Sequence, residues 1–203
     1  MNNSNKVILD LCGGTGSWSK PYKEAGYDVR LITLPTWNVL HYIDLMPENV
    51  YGIFAAPPCT MFSLARQNAK TPRNMESGMR IVKACLEIIY KAQYNEKIKL
   101  TFWTMENPRG YLRKFMGKPA FTFEQWMFDK NSQHCKPTDL WGNFNNPTPI
   151  ILKKPDLQKN RNRRLGNWQK PLPPFEYKHI TDRAAIRSIT PAKFAQAFYE
   201  ANI

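Results

Sequence analysis

The pattern of apolar residues opens with a short run that is followed by an acidic residue and a glycine-rich turn. Residues 7–9 are apolar, Asp10 comes next, and three glycines lie among the six residues after it. A helix-compatible stretch at 18–25 and a second apolar run at 29–32 continue the pattern. This order predicts a strand, a turn, a helix and a strand, which is how an α/β sheet begins.

Further apolar runs predict additional strands and two more helices. Between 75 and 93, apolar residues recur at steps of three and four, which places them on one face of a helix that packs on the core. Near the end of the chain, Thr190 is expected to cap a helix whose first residue is Pro191. The strand candidates are 51–55, 100–105 and, as a weaker pattern, 140–144.

The composition changes after Asn145, where prolines and basic residues become dense. Six prolines lie between positions 147 and 174, and residues 151–187 contain ten Lys or Arg against three Asp or Glu. Proline and like charge favour an irregular segment over a core element. We therefore divide the chain into a core at 1–145, a basic proline-rich segment at 146–186 and a C-terminal helix at 187–203 that packs back on the core.

The net charge is +13, from 29 Lys and Arg against 16 Asp and Glu, and it favours a polyanionic partner. Nucleic acid is the commonest partner of this kind. No apolar run approaches the roughly 18 residues of a membrane helix, and the N-terminal residues lack the layout of a signal peptide. We therefore expect a cytoplasmic protein that has no membrane partner.

The four cysteines and three histidines show no metal-ligand spacing. The cysteines form no CxxC pair, and nothing near His134 and Cys135 completes a ligand set. We therefore expect no metal, and free thiols that can act as nucleophiles in a reducing cytoplasm.

The glycine-rich turn lies where an α/β sheet can bind a ligand. Gly13, Gly14 and Gly16 follow a predicted strand and precede a predicted helix, so the backbone can turn tightly and approach a ligand closely. The pattern fits a dinucleotide, a nucleotide or S-adenosylmethionine, and also a simple tight turn. No lysine of the ATP-binding type follows it, and residues 32–35 offer no acid for a ribose.

Cys59 follows two prolines at the end of a predicted strand. Pro57 and Pro58 favour a rigid, extended exit, which places the thiol at the carboxyl edge of the sheet, where α/β folds bind ligands. The alternative is a small buried apolar residue, which is the common environment of a free cysteine.

Glu106 follows another predicted strand and precedes Asn107 and Pro108. A half-buried carboxyl group at a strand end tends to have a raised pKa and can hold a proton near neutral pH. The alternatives are an exposed loop residue and a cap for the segment that begins at Arg109.

The order of these three elements resembles the cytosine-C5 DNA methyltransferase family. Residues 10–19 are similar to its cofactor motif, and residues 56–63 match its nucleophile motif almost residue for residue. Glu106 and Asn107 match the acid motif, with Pro108 where valine is usual, and residues 187–191 resemble a late motif that precedes a helix. The resemblance covers roughly residues 6–144 and 187–202.

The resemblance implies a Rossmann-like class I fold that binds S-adenosylmethionine and methylates carbon 5 of cytosine in DNA. Cys59 would be the nucleophile that adds to carbon 6, and Glu106 would protonate or hydrogen-bond N3 of a cytosine flipped out of the duplex. The implied cofactor residues are Asp10, Cys12, Gly13, Gly14, Thr15, Gly16, Trp18, Asn38 and Pro57, with Asn38 replacing the family's adenine-binding acid. The implied substrate residues are Ser63, Asn107, Arg109 and Lys136, and the basic segment adds Arg161, Arg163 and Arg164, which we interpret as phosphate-contacting surface.

The chain also departs from the family. The ribose-binding acid is missing, residues 133–138 have one cation where the family has a Gln-x-Arg-x-Arg motif, and only residues 146–186 are available for target recognition. Backbone contacts suit such a segment better than base readout, so we expect low or very short sequence specificity, or help from a partner. The small size resembles a phage or mobile-element enzyme without a paired nuclease, which we expect to be monomeric.

Three alternatives remain open. The same chemistry can act on RNA or on a cytosine nucleotide, although a nucleotide enzyme does not need a charge of +13. The chain can be a catalytically degraded nucleic-acid-binding protein, or an unrelated methyltransferase-like fold in which Cys59 is structural.

Overall fold

The computed structural model describes residues 2–67, 69–132, 136–154 and 174–203, and within them the chain forms an α/β fold around a six-stranded mixed sheet. The strands are β1 (Val7–Leu11), β2 (Asp28–Ile32), β3 (Val50–Ala55), β4 (Phe102–Pro108), β5 (Phe121–Phe123) and β6 (Thr138–Asn143). The helices are α1 (Lys20–Glu24), α2 (Met75–Tyr94), α3 (Arg113–Met116), α4 (Arg183–Ser188) and α5 (Ala192–Ala201).

The strand order in the sheet is β2-β1-β3-β4-β6-β5. Strands β1 to β4 are parallel, and β6 runs antiparallel to both of its neighbours. From β1 the chain crosses to β2 on one side, whereas from β3 it crosses to β4 on the other side. The direction in which strands are added therefore reverses between β1 and β3. Open α/β sheets bind ligands at such a point, at the carboxyl ends of the strands.

The two faces of the sheet are covered by different kinds of side chain. One face packs against α2, whose buried residues include Val82, Cys85 and Ile88. The other face carries an aromatic cluster to which α1 and α5 contribute. Its fully buried rings are those of Tyr22, Phe54, Phe102, Phe194 and Phe198. Burial of a large apolar side chain contributes about 1.5–3 kcal/mol, so these two layers hold the sheet and its carboxyl edge rigid.

Several predicted boundaries are wrong by one or a few residues. The first helix begins at Lys20, not at position 18, because the turn continues through Trp18 and Ser19 is the N-cap. Pro191 is the N-cap of α5, and the predicted cap Thr190 instead donates its backbone N–H to Ser17. Helix α2 ends at Tyr94, and β6 covers Thr138–Asn143 instead of 140–144.

Strand β4 extends past the position at which the sequence predicts its end. It runs through Pro108 because β6 pairs with it along its whole carboxyl half, with Glu106 opposite Leu140 and Asn107 opposite Asp139. Glu106 therefore lies within a paired strand and not in a loop.

The region predicted as irregular contains a helix near its end. Helix α4 covers Arg183–Ser188, and Asp182 caps it by accepting a hydrogen bond from the Ala185 N–H at 2.7 Å. Strand β5 is also absent from the sequence prediction. Across the described ranges, no helix combines the length and the apolarity that crossing a bilayer requires.

Candidate active site

The glycine-rich turn is built around the buried carboxyl group of Asp10. A Cβ atom on Gly13 would lie 2.1 Å from Asp10 Oδ1, so only glycine fits there. Gly14 and Gly16 have φ values of 57° and 67°, which favour glycine. Ser19 Oγ donates a hydrogen bond to Asp10 Oδ2 at 2.5 Å. Burial raises the Asp10 pKa to about 6, and the bond from Ser19 opposes this rise.

The C-terminal segment is joined to the glycine-rich turn by a hydrogen bond from Thr190 to Ser17. Ser17 Oγ accepts hydrogen bonds from the Thr15 hydroxyl at 3.0 Å and from the Thr190 N–H at 2.8 Å. Cys12, which also has a positive φ, is partly buried, and a hydrogen bond with the Cys85 thiol lowers its pKa. The Trp18 ring lies in the aromatic core, 4.6 Å from Phe54 and 3% exposed. Ser17 therefore links the turn to the C-terminal segment, and Trp18 anchors the residues after the turn in the aromatic core.

An open cleft of about 480 Å³ lies at the carboxyl end of β2, and one of its lining residues, Leu31, lies 3.8 Å from where a Cβ on Gly16 would be. It is lined by Arg30, Leu31, Ile32, Trp37, Tyr42 and Leu45. Trp37 is 44% exposed and meets the Tyr42 ring edge-on at 5.9 Å. None of the described lining residues is acidic. Asn38 is not among them, and its side-chain oxygen accepts a hydrogen bond from the Leu40 N–H at 3.1 Å. The cleft therefore presents aromatic and aliphatic surface together with one cation.

The segment after β3 positions Cys59. Pro57 is buried and Pro58 is exposed, and Cys59 begins a short 3-10 turn at Cys59–Met61. The Cys59 carbonyl accepts hydrogen bonds from the Phe62 N–H at 2.9 Å and from the Ser63 N–H at 2.8 Å. Phe62 is fully buried and anchors the turn, whereas Cys59 is partly exposed. Cys59 is therefore a partly exposed residue on a backbone that is fixed by hydrogen bonds.

Strand β4, which carries Glu106, and the residues that follow it are hydrogen-bonded to the segment that carries Cys59. Asn107 is fully buried, and its Nδ2 donates a hydrogen bond to the Pro57 carbonyl at 2.9 Å. The Tyr111 N–H donates to the Phe62 carbonyl at 2.9 Å. A Cβ on Gly110 would lie 2.4 Å from that same carbonyl oxygen, so glycine is required for this close approach. The structure thus brings the segments of Cys59 and Glu106 together, as the adjacent parallel strands predict.

Lys136 lies just before β6 and acts electrostatically on both Cys59 and Glu106. The Arg109 N–H donates a hydrogen bond to the Pro137 carbonyl at 2.9 Å, which ties the start of β6 to the end of β4. Burial raises the pKa of Glu106, and the nearby Lys136 charge opposes this rise. Burial also raises the pKa of the Cys59 thiol, which Lys136 lowers and Glu106 raises. One cation therefore acts on both candidate catalytic groups.

The remaining predicted substrate residues have different positions. Ser63 bridges to Gly110, and its hydroxyl accepts a hydrogen bond from the Ala65 N–H at 3.2 Å. Arg109 is exposed next to the site, and Asn107 Oδ1 is buried without a partner among the described atoms. Positions 133–135 and the predicted residues Arg161, Arg163 and Arg164 lie outside the described residues.

Several residues at the site are missing from the sequence prediction. Arg187, from α4, lowers the pKa of the Cys59 thiol. Asp139 is fully buried opposite Asn107 in β6 and raises the pKa of Glu106. Arg113 contacts Asp139 through Nε at 2.6 Å and Nη2 at 2.5 Å. An acid inside an apolar strand was the available signal for Asp139, and Arg187 is the first residue of the segment that resembles the late motif, whereas nothing local marks Arg113.

The described part of the chain contains no group of three or more His, Cys, Asp or Glu side chains arranged to hold a metal. The sequence matches no protein-family model and no curated protein. The functional argument therefore depends on the chemistry of the site itself.

Replacing Lys136 with glutamine is expected to raise the pH at which Cys59 becomes reactive. The cation lowers the Cys59 pKa, so its loss leaves the effect of burial less opposed and moves the thiolate form to higher pH. The pH profile of Cys59 alkylation by iodoacetamide, followed by peptide mass spectrometry, measures this shift.

Two matched variants control for this experiment. Lys136→Arg keeps the charge and should keep the profile. Lys99→Gln makes the same charge change next to the amino end of β4, at the opposite edge of the sheet, and should have no effect. A Lys136→Gln profile that coincides with the wild-type profile would contradict the placement of Lys136.

Proposed function

We propose that the chain is an S-adenosylmethionine-dependent methyltransferase that acts on carbon 5 of cytosine in DNA. The observation that carries the proposal is the docking of the Cys59 turn onto the Glu106 strand, through the Asn107 bond to Pro57, with Lys136 close to both groups. The order of the strands is compatible with a Rossmann-like methyltransferase sheet.

Cys59 supplies the nucleophile. Carbon 5 of cytosine does not react with a methyl donor in the resting ring, but addition of a thiolate to carbon 6 makes it electron-rich. The sulfur lone pair forms the S–C6 bond, and the electrons of the C5–C6 double bond become available at carbon 5. Lys136 and Arg187 favour the thiolate that this step requires, against the effect of burial.

Glu106 supplies the proton that makes this addition favourable. Burial raises the pKa of Glu106, so this carboxyl group takes up a proton more readily than an exposed one and can donate it to N3 as the thiolate adds. After carbon 5 has gained the methyl group, a base takes its proton, and the electrons of that C–H bond re-form the C5–C6 double bond as the S–C6 bond breaks. The sulfur leaves as the Cys59 thiolate, and N3 returns its proton to the Glu106 carboxylate. Cys59 and Glu106 thus have distinct roles on the same ring.

The described residues fit an adenosyl methyl donor. The positive φ values of Gly14 and Gly16 leave exposed backbone at the turn, and the cleft beside it offers aromatic surface for an adenine ring. When bound, S-adenosylmethionine supplies an electrophilic methyl group. Because the described lining residues include no acid, the ribose hydroxyls would lack the carboxylate partner that is usual in such sites.

Replacing Trp37 with alanine is expected to weaken cofactor binding about tenfold. The substitution removes the partly exposed aromatic surface of the cleft, and aromatic pairs contribute about 0.5–1.5 kcal/mol beyond area burial. Calorimetric titration with S-adenosylhomocysteine measures the loss. Trp37→Phe should retain most of the affinity, and Tyr90→Ala, on an exposed position of α2, should retain all of it. Equal affinity in Trp37→Ala and wild type would place the adenosyl group elsewhere.

The net charge of +13 favours a nucleic-acid substrate over a free nucleotide. Transfer of a labelled methyl group should be measured to duplex DNA, to RNA and to a cytosine nucleotide under identical conditions. We expect transfer to DNA, at many sites or at a very short motif. Transfer only to RNA, or only to the nucleotide, would mean that this molecule is the substrate and that DNA is not. Binding of DNA without transfer to any substrate would favour a binding protein of the same fold.

A further inference from the structure

We propose that Arg73 is a positioning residue that clamps the turn carrying Cys59 against the strand carrying Glu106. This inference concerns the same site and rests on the proposed function. Arg73 is half-buried and lies just before α2, outside the motifs that the sequence singles out.

The guanidinium group of Arg73 binds two carbonyl groups, one at the end of the Cys59–Met61 turn and one two residues after it. Nη1 donates a hydrogen bond to the Met61 carbonyl at 2.8 Å, and Nη2 donates to the Ser63 carbonyl at 2.9 Å. Because the guanidinium group is planar and presents its donors in a fixed fork, one side chain sets the spacing of two backbone groups. A lysine ammonium group donates all of its hydrogen bonds from one nitrogen atom, so it cannot impose this spacing.

The same guanidinium group also contacts the acid segment. It lies over the ring of Tyr111, 4.7 Å from the centroid, and a cation over an aromatic face is attracted to it. Tyr111 in turn donates its N–H to the Phe62 carbonyl. The consecutive carbonyls of Met61, Phe62 and Ser63 are therefore all held by Arg73 or by the residue on which Arg73 lies.

This arrangement fixes the backbone two residues after the thiol. The Met61 and Ser63 carbonyls cannot rotate away without breaking the fork, and the Cys59 carbonyl is bound by the Phe62 and Ser63 N–H groups in the same turn. Helix α2 closes the remaining side, because a Cβ on Gly78 would lie 2.9 Å from the Phe62 ring. A misplacement of about 1 Å in a reacting group can cost 10²-fold in rate, so a clamp on this turn has a catalytic consequence.

The proposal is tested first on the free protein by amide hydrogen exchange. In Arg73→Met, the N–H groups of Phe62, Ser63 and Tyr111 should exchange at least about tenfold faster, because the turn opens locally. Amides of β1 and β3 should be unchanged. Arg66→Met is the matched control, since Arg66 lies in the following turn but binds the Thr71 and Pro72 carbonyls instead. Unchanged exchange at the three amides in Arg73→Met overturns the clamp.

Kinetics then separate positioning from nucleic-acid contact. We expect kcat to fall about 10- to 100-fold in Arg73→Met, with the KM for DNA and the affinity for S-adenosylhomocysteine within about twofold of wild type. Arg73→Lys should recover part of the loss, and guanidinium ion added at millimolar concentration should partly rescue Arg73→Ala. A raised KM for DNA with kcat intact would make Arg73 a nucleic-acid contact and would overturn the proposal.

The two possible failures are distinguishable. A wild-type protein that transfers no methyl group contradicts the proposed function, and the exchange measurement still decides whether Arg73 holds the turn. If Arg73→Met does not fold, Arg73→Lys carries the exchange test, since it keeps the charge over Tyr111 and loses only the fork. In that variant, exchange as slow as in wild type at Phe62 and Ser63 overturns the clamp.

Discussion

Replacing Cys59 with alanine is expected to reduce methyl transfer to DNA by at least about 10⁴-fold, because the reaction loses the nucleophile that activates carbon 5. Binding of DNA and of S-adenosylhomocysteine should remain near wild type, since Cys59 is partly exposed and its backbone makes the contacts that shape the turn. The initial rate of labelled methyl transfer to duplex DNA, at saturating cofactor, measures the effect.

The other described cysteines provide the control for this substitution. Cys85 is fully buried against the sheet, and Cys85→Ala can lower stability but should retain transfer once folded protein is compared. Cys59→Ser keeps the size and removes the acidity of the thiol, so it should be nearly as inactive as Cys59→Ala. A Cys59→Ala enzyme with more than a tenth of the wild-type rate would remove Cys59 from the mechanism.

Replacing Glu106 with glutamine has the second largest expected effect, a loss of about 10²- to 10⁴-fold in kcat. Burial raises the Glu106 pKa, so the native side chain holds its proton more readily than an exposed glutamate does. The amide can still donate a hydrogen bond toward N3 but cannot transfer a proton. Single-turnover rates of methyl transfer, with DNA affinity measured in parallel, test this result.

An exposed acid supplies the matched control for Glu106. Glu87 is exposed in the C-terminal half of α2, and Glu87→Gln makes the same chemical change away from the docked turn and strand. It should leave kcat unchanged. Equal rates for Glu106→Gln and wild type would contradict the acid role, and a loss of DNA affinity alone would make Glu106 a binding residue.

The meeting of Cys59 and Glu106 follows from features that the sequence contains. Both residues come at the carboxyl ends of predicted strands, and parallel neighbours β3 and β4 bring those ends to one edge of the sheet. The apolar pattern also predicts most of α2, because its buried face repeats at helical spacing. Local pattern and parallel topology are sufficient for this part of the site.

The contacts that complete the site could not be predicted in this way. Arg73, Arg113 and Arg187 reach their partners through tertiary packing, and no local pattern distinguishes an arginine that binds a distant carbonyl from one that is solvated. The extension of β4 through Pro108 depends on antiparallel pairing with β6, which joins residues far apart in the chain.

Around the glycine-rich turn, the structure fixes side-chain positions that the motif does not specify. Trp18 packs in the aromatic core, and the Asn38 side chain is used to cap a short turn. The lining of the cleft at the carboxyl end of β2 includes Trp37 and Tyr42. A motif identifies the turn, but the orientation of each side chain depends on packing partners elsewhere in the fold.

Covalent trapping tests the central claim most directly. The protein is incubated with S-adenosylmethionine and a DNA duplex that contains 5-fluorocytosine, whose carbon 5 cannot lose a proton after methylation, so the S–C6 bond persists. We predict an adduct that survives denaturation, requires the cofactor and maps by peptide mass spectrometry to Cys59. Bound DNA without an adduct, or an adduct on another residue, would contradict the account.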